Sequence, residues 1–190
     1  MIHRAVEFQS LGHGHDIGEL QLQKIIYVLR ISKVALVAAV ALTTSIVALS
    51  NLTDYGTNWT FVTHVLSMDT VYPDSFIRYR AVTNPYVQMV AYWAIITAEV
   101  GTAVLCWIGA IKLLRAVNAS IAGFSCAKTW SVAGLTIGFL TWQVGFMAIG
   151  GEWFGMWQSS AWNGTQSAFR FHMTILAILI YLSLPEPAEH

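Results

Sequence analysis

Glu99 is an acidic side chain inside a long apolar run, where a charged group is costly. An ionised acid near the centre of a membrane helix costs about 2.5 kcal/mol or more. Three uses would fit it: a proton or ion carrier, a hydrogen-bond partner for a bound cofactor, or a structural carboxyl bonded to another helix or subunit. We favour the structural use, with partners among the nearby polar residues Thr97, Thr102, Thr141 and Gln143.

A second acid, Glu152, lies between paired glycines and tryptophans in the stretch GGEWFGMWQ. Tryptophan concentrates where hydrocarbon meets lipid headgroups, so Trp153, Trp157 and Trp162 indicate an interface at the outer end of a helix. Arg170 is expected at the same depth. Because each charge would otherwise be half-desolvated, we predict a Glu152–Arg170 ion pair that joins two helix ends.

Histidines and aromatic residues offer weaker candidates for a ligand site. A haem held by His64 and His172 would need both side chains to face one cavity. His64 is expected in a loop, so we do not favour this arrangement. The possible lining of a lipid, quinone or haem site consists of Glu99, Trp142, Gln143 and His172.

Motifs of catalysis and metal binding are missing from the sequence. It contains no phosphate loop, no nucleophile elbow and no HExxH pair. Cys106 and Cys126 do not form a CxxC pair. His13 and His15 fall in a glycine-rich segment, where neighbouring histidines are usually solvated. We therefore expect no enzyme activity from the chain alone, no metal site and no cofactor.

Composition indicates a membrane protein. The 190 residues are 56% apolar and only 11% charged, whereas a soluble domain carries roughly 25% charged residues. Ten basic and ten acidic residues give a net charge of zero, so there is no basic surface for nucleic acid. The expected surroundings are the lipid bilayer and other membrane-protein subunits.

Four apolar runs approach or exceed the length that a membrane helix requires, about 20 residues for a hydrocarbon core of roughly 30 Å. The sequence therefore predicts an all-α polytopic membrane protein. A polar N-terminal extension at 1–27 precedes a four-helix transmembrane domain at 28–184, and 185–190 form an unstructured tail. The predicted spans are 34–52, 86–114, 130–150 and 169–184.

Basic residues predict the orientation, because short loops rich in lysine and arginine stay on the cytoplasmic side. The link at 151–168 has no lysine or arginine, and the connection at 53–85 has two arginines. We expect both connections outside and both termini in the cytoplasm. The residues that define the inner ends are Lys24, Arg30, Lys33, Lys112, Arg115 and Lys128.

Short stretches outside the spans also show helical spacing. The connection at 53–85 is too long for a simple turn, and we predict one or two short interfacial helices there. The segment before the first span is either an inner surface helix or an extension of that span. Within the third span, Gly134 and Gly138 form a GxxxG pair that favours close helix packing.

Several stretches resemble a family of small bacterial integral membrane proteins known as a domain of unknown function. They are NLTDYGTNWTFVTHVLSMDT, YPDSFIRYRAV, AYWAIITAE and VGFMAIGGEWFGMWQSSAWNGTQSAFRF, and the likeness covers residues 28–184. The resemblance implies four transmembrane helices and a bacterial inner membrane. It implies no reaction, cofactor or catalytic residue.

The sequence thus favours a non-catalytic accessory, stabilising or assembly subunit of a larger bacterial membrane complex, such as a respiratory or photosynthetic one. Few polar groups lie within the spans to line a pathway, and many aromatic residues lie at the outer interface, where a partner can contact them. The alternatives are a small transporter or channel that uses Glu99, and a membrane protein that binds lipid, quinone or haem.

Overall fold

The computed structural model describes the backbone of residues 2–187 and the side chains of residues 19–187, and every regular element in that range is helical. The all-α prediction is therefore confirmed. The α-helices are α1 (Ile2–Thr53), α2 (Tyr55–Ser67), α3 (Pro85–Arg115), α4 (Ile121–Ala127), α5 (Thr129–Leu140) and α6 (Thr165–Ser183). A π-helix at Thr141–Trp153 continues α5, and 3-10 turns lie at Arg78–Arg80 and Met156–Gln158.

Three helical segments are long and apolar enough to cross a membrane: Glu19–Thr53, Pro85–Arg115 and Ile121–Trp153. They contain the first three predicted spans. Helix α6 has 19 residues and includes Arg170 and His172 in its first half, and it is not among these three segments. The fourth span at residues 169–184 therefore stays a prediction.

Local sequence signals fix where α3 and α4 begin. The Asn84 side chain accepts a hydrogen bond from the backbone N–H of Tyr86 at 2.9 Å, and Pro85 occupies the first helical position of α3. Asparagine is a favoured N-cap, and proline is tolerated where no intrahelical N–H bond is needed. Ser120 caps α4 in the same way by accepting from the Gly123 N–H. The starts of these two helices thus follow from residue type, whereas α2, α5 and α6 begin without a side-chain cap bond.

Helix α3 packs antiparallel against the second half of α1. Three contacts define their register: Asn51 with Glu99, Ser45 with Trp107, and Arg30 with the backbone carbonyl of Val117. Sequence position rises along α1 as it falls along α3. This register places Asn51, in the last turn of α1, beside the middle of α3.

Glycines allow α3 and α5 to approach closely. A Cβ atom built on Gly134 would lie 2.8 Å from the Cys106 sulfur and 2.9 Å from the Cys106 backbone nitrogen. One built on Gly138 would lie 2.9 Å from the Thr102 methyl group. Small residues permit this backbone contact in membrane helices, so the GxxxG pair packs within the chain.

The π-helix changes the direction of the side chains that follow α5. Its last bond runs from the Phe154 N–H to the Ile149 carbonyl, five residues earlier, at 3.0 Å. The 13 residues from Thr141 to Trp153 include Trp142, Gln143 and Glu152. π-helical segments are rare and frequently occur at functional sites. The periodicity of the sequence gave no indication of this segment.

The connection between α1 and α3 forms a cap over the ends of the neighbouring segments. Met68, Val71 and Phe154 form a buried cluster, and the Val82 N–H donates to the Leu66 carbonyl at 2.8 Å. This cap holds the segment after α2 against the turn that follows the π-helix.

Candidate functional site

Glu99 is almost completely buried in α3, with 1% of its surface exposed. The Asn51 side-chain amide of α1 donates to its Oε2 atom at 2.6 Å. Tyr92, two turns before Glu99 on α3, donates from its hydroxyl to the Asn51 backbone carbonyl at 2.7 Å. The carboxyl therefore bonds across helices, as predicted, but to a residue that the sequence did not suggest.

None of the four predicted partners bonds Glu99 in the described structure. Thr102 donates to the Ala98 carbonyl at 2.8 Å, and Thr141 donates to the Ile137 carbonyl at 2.8 Å, so both hydroxyls bond within their own helices. Gln143 and Thr97 form no hydrogen bond through their side chains within the described part of the chain. The antiparallel register of α1 and α3 decides the pairing, and it brings the end of the first apolar run to Glu99.

Glu99 lines a half-open cavity of about 330 Å³ between α1, α2, α3, the π-helix and α6. Five aromatic side chains line it with Glu99, and Glu99 is the one charged residue among the described lining residues. Its Oε1 atom accepts no hydrogen bond within the described side chains. The aromatic residues are Phe61, Tyr92, Trp142, Phe146 and Phe171.

Polar groups of the cavity mostly present acceptors. The amide nitrogen of Asn58 donates to the Asp54 carbonyl at 3.0 Å, while that of Asn51 donates to Glu99. The Oδ1 atoms of both asparagines accept no hydrogen bond from the described residues. A ligand that donates hydrogen bonds would therefore pair with these free acceptor atoms, whereas a ligand that only accepts them would not.

Two of the predicted lining residues are separated by the structure. Trp142 lines the cavity and stacks on Phe171 with ring centroids 4.9 Å apart. His172 lies buried outside the cavity lining, where its Nδ1 is 3.0 Å from the Ala168 carbonyl and its ring meets the edges of Phe139 and Phe169. His64 stacks on Trp162 and does not line this cavity either, so the two histidines do not meet there.

The predicted ion pair between Glu152 and Arg170 is not formed in the described structure. Both side chains are exposed, and neither forms an ion pair within 4.0 Å among the residues described. Arg170 lines a separate groove between α1 and α6, and Glu152 does not line that groove. The prediction of the pair was wrong because equal depth at two helix ends does not fix the faces on which side chains lie.

The three interfacial tryptophans contact the connection between α1 and α3. The Arg80 guanidinium lies 4.4 Å from the ring of Trp153, Tyr72 meets Trp157 edge-on, and His64 stacks on Trp162 at 4.5 Å. Each contact joins a tryptophan at or beyond the end of the π-helix to the cap. These contacts hold the three tryptophans against the cap.

A buried ion cluster lies at the opposite end of the helices from this cap. Glu186 accepts from Lys33 at 2.5 Å and from Lys128 at 2.9 Å, and Arg30 lies 3.5 Å away. Its side chain is 0% exposed. Arg30 also donates to the carbonyls of Val117 and Ala119, and Lys128 donates to the carbonyl of Leu184.

This cluster corrects the expectation of an unstructured tail, at least through residue 187. Burial alone would raise the pKa of Glu186, but hydrogen bonds from Lys33 and Lys128 and the nearby positive charges hold it below its ordinary value. The sequence signal was an acid following proline after the last apolar run, at the end where the basic residues gather. Those basic residues were assigned to orientation alone.

An apolar cleft of about 550 Å³ lies between α2, α3 and the π-helix. Ala94, Ala98 and Gly145 form part of its wall, and no polar group other than the Thr141 hydroxyl belongs to the side chains that line it. The cleft shares Phe61, Val62, Ile95 and Phe146 with the wall of the Glu99 cavity.

Comparison with known proteins identifies the family of the chain. The DUF2165 family, described as predicted small integral membrane proteins, matches residues 29–185. Comparisons with curated proteins and with solved structures gave no match. The match covers all three segments able to cross a membrane, except for residues 19–28 of the first segment, and it extends through α6. The chain belongs to the DUF2165 family of predicted small integral membrane proteins of unknown function.

Proposed function

We propose that the protein is a non-catalytic accessory or assembly subunit of a larger complex in a bacterial cytoplasmic membrane. Gln143 carries this proposal. Its side chain is half-buried in the segment Ile121–Trp153, fifteen residues after Lys128 and ten before Trp153. At about 1.5 Å per residue, Gln143 lies roughly 22 Å from Lys128 and roughly 15 Å from Trp153.

The Gln143 amide has no hydrogen-bond partner in the described part of the chain. Leaving an amide unpaired in an apolar environment costs roughly 2 kcal/mol or more. Glutamine side chains hydrogen-bond between membrane helices, where each bond contributes about 0.6 to 2 kcal/mol. A polar group on a transmembrane helix of a partner subunit would satisfy this amide, which neither lipid tails nor this chain does.

Quantitative co-purification tests the subunit role. Tagged wild-type protein is isolated in a mild detergent and in native-lipid particles, and co-purifying proteins are measured by mass spectrometry. We expect a defined membrane protein to co-purify with the wild type. Its recovered amount should fall roughly threefold or more with Gln143→Leu. Gln166→Leu, at an exposed position in the first turn of α6, is the matched control and should retain the partner. Recovery of the wild-type chain alone in both preparations would contradict the proposal.

We also propose that α6 is a fourth span and that both termini are cytoplasmic. Nineteen residues at about 1.5 Å each give a length of roughly 28 Å. Thr165, at the start of α6, lies next to Gly151, whereas Glu186 bonds Lys33 and Lys128 beyond the opposite end of α6. Positive residues concentrate at that second end, which supports a cytoplasmic position.

Reporter fusions test this topology. Alkaline phosphatase fused after Ser160 should be active, because it reports a position outside the cytoplasm, whereas phosphatase at the C-terminus should be inactive and a fluorescent protein there should fluoresce. Active phosphatase at both positions would mean that α6 does not cross. Inactive phosphatase after Ser160 with an active C-terminal fusion would reverse the orientation.

A further inference from the structure

The Glu99 cavity combines one buried carboxylate, aromatic walls and free acceptor atoms, and no proposed contact with a partner subunit uses them. We propose that this cavity binds the ammonium group of a small primary amine. The proposal is independent of the accessory-subunit role, since Gln143 does not line this cavity.

Charge is the first argument. Glu99 is 1% exposed, and Oε1 has no partner within the described side chains although Oε2 is held by Asn51. An acid buried in a membrane protein is costly unless it is paired. No lysine, arginine or histidine belongs to the described lining of the cavity. A ligand with a positive charge would supply the missing counter-ion.

The aromatic walls are the second argument. Phe61, Tyr92, Trp142, Phe146 and Phe171 line the same cavity as the carboxylate. Faces of aromatic rings attract organic cations, and the attraction is about 2 kcal/mol or more when the cation is desolvated. A carboxylate among aromatic rings therefore favours an organic ammonium over a strongly hydrated metal ion, which prefers several oxygen ligands.

Free acceptors narrow the ligand to an amine that carries N–H groups. Glu99 Oε1 and the Oδ1 atoms of Asn51 and Asn58 accept no hydrogen bond from the described residues. A primary ammonium has three N–H donors, whereas a quaternary ammonium has none. The volume of about 330 Å³ lies at the lower end of the range for small-molecule sites, so a small amine fits.

The cavity also has polar residues at one of its ends. Asn58 belongs to α2, and Asn163 and Gly164 immediately precede α6. These residues lie at the end that carries the aromatic cap. A primary amine can reach the cavity from solution at that end, or as the ethanolamine headgroup of a membrane lipid, and the chemistry of recognition is the same.

Calorimetric titration with benzylamine tests the proposal. The full chain is stripped of lipid in dodecyl maltoside, and empty micelles provide the reference. Benzylamine is protonated at neutral pH, as alkyl amines are, and benzyl alcohol is its neutral control of equal size. We expect saturable binding of benzylamine and binding of the alcohol weaker by roughly tenfold or more.

Two variants locate the binding. Glu99→Gln removes the charge at nearly constant volume and should weaken benzylamine roughly tenfold or more. Glu152→Gln makes the same change at an exposed acid outside the cavity and should bind like the wild type. Ser167→Phe narrows the cavity while it keeps Glu99 and should also lose binding. If Glu99→Gln does not fold, as judged by gel filtration and circular dichroism, the proposal is decided by Ser167→Phe: loss of benzylamine binding supports it, and unchanged binding overturns it.

Unchanged binding in the folded Glu99→Gln variant would overturn the proposal, as would equal binding of benzyl alcohol or no binding above empty micelles. Added lipid then separates the sources of the amine. Displacement of benzylamine by phosphatidylethanolamine, but not by phosphatidylglycerol, would identify a lipid headgroup as the ligand. No displacement by either lipid would identify a free amine, and both outcomes support an ammonium site.

Discussion

Glu186 Oε1 accepts a hydrogen bond from Lys33 Nζ at 2.5 Å and so joins the C-terminal segment to α1. Lys128, between α4 and α5, bonds the same oxygen at 2.9 Å. One carboxylate therefore connects three separate parts of the chain. The Arg30 guanidinium, 4.7 Å from the centre of the Phe124 ring, adds α4 to this junction.

Replacement of Glu186 by glutamine should destabilise the protein by about 3 kcal/mol. The substitution keeps the shape but leaves three buried cations, Arg30, Lys33 and Lys128, without their shared anion. Unfolding is followed by tryptophan fluorescence during titration with a denaturing detergent. Glu152→Gln removes an exposed acid that forms no ion pair in the described chain and should change stability by less than about 0.5 kcal/mol. Equal effects of the two changes would contradict this role of Glu186.

Stability should also fall in acid because of Glu186. Its pKa is held below the ordinary value of 4.5, against the effect of burial, by hydrogen bonds from Lys33 and Lys128 and by their charges. A depressed pKa stabilises the folded state fully above the unfolded pKa, and this stabilisation is lost as pH falls through the folded pKa. The difference in stability between wild type and Glu186→Gln should therefore be constant near pH 7 and shrink below about pH 4.5. A difference that stays constant down to the lowest pH at which both proteins fold would contradict it.

Close packing at Gly134 predicts that alanine destabilises the protein at this position but not at Gly101. Gly134→Ala places a methyl group 2.8 Å from the Cys106 sulfur, which forces α3 and α5 apart and should cost about 1 to 3 kcal/mol. Gly101→Ala, on α3, meets nothing within 4 Å and should be neutral or stabilising by up to about 1 kcal/mol. The same detergent titration measures both. A stable Gly134→Ala protein would mean that these helices are not in close contact.

The sequence predicted the helices better than it predicted their contacts. Apolar length located the three segments of Glu19–Thr53, Pro85–Arg115 and Ile121–Trp153, because crossing the hydrocarbon core requires long apolar runs whatever their partners. Glu99 was also identified, since an acid within such a run is conspicuous. Its partner Asn51 was missed because pairing depends on the register of α1 against α3, which no local pattern specifies.

Glu152 and Arg170 show the same limit, because here the sequence predicted a contact that the described structure does not contain. Glu152 and Arg170 were paired on depth alone, yet both remain exposed and apart in the described structure. The π-helix at Thr141–Trp153 contributes to this, because a changed helical period alters which face each residue occupies. Glu186 was missed because a short tail has no periodicity, although tertiary contacts bury its side chain completely.

The hydrogen bond between Asn51 and Glu99 provides a last prediction, on the coupling of α1 and α3. Asn51→Leu removes the donor and leaves a buried acceptor unpaired, which should cost about 1 to 3 kcal/mol. Asn118→Leu, at an exposed asparagine between α3 and α4, serves as the matched control and should change stability by less than about 0.5 kcal/mol.

A double-mutant cycle separates this bond from the loss of packing around Asn51. Glu99→Leu alone should also destabilise the protein, because it removes the acceptor and leaves the Asn51 amide unpaired. The combination of Asn51→Leu with Glu99→Leu leaves neither polar group buried, so it should cost less than the sum of the single changes, by about 0.5 to 3 kcal/mol. Strict additivity of the two changes would mean that the bond at 2.6 Å contributes nothing to the pairing of α1 and α3. A measured coupling would instead show that the acid is held by α1 before any ligand reaches the cavity.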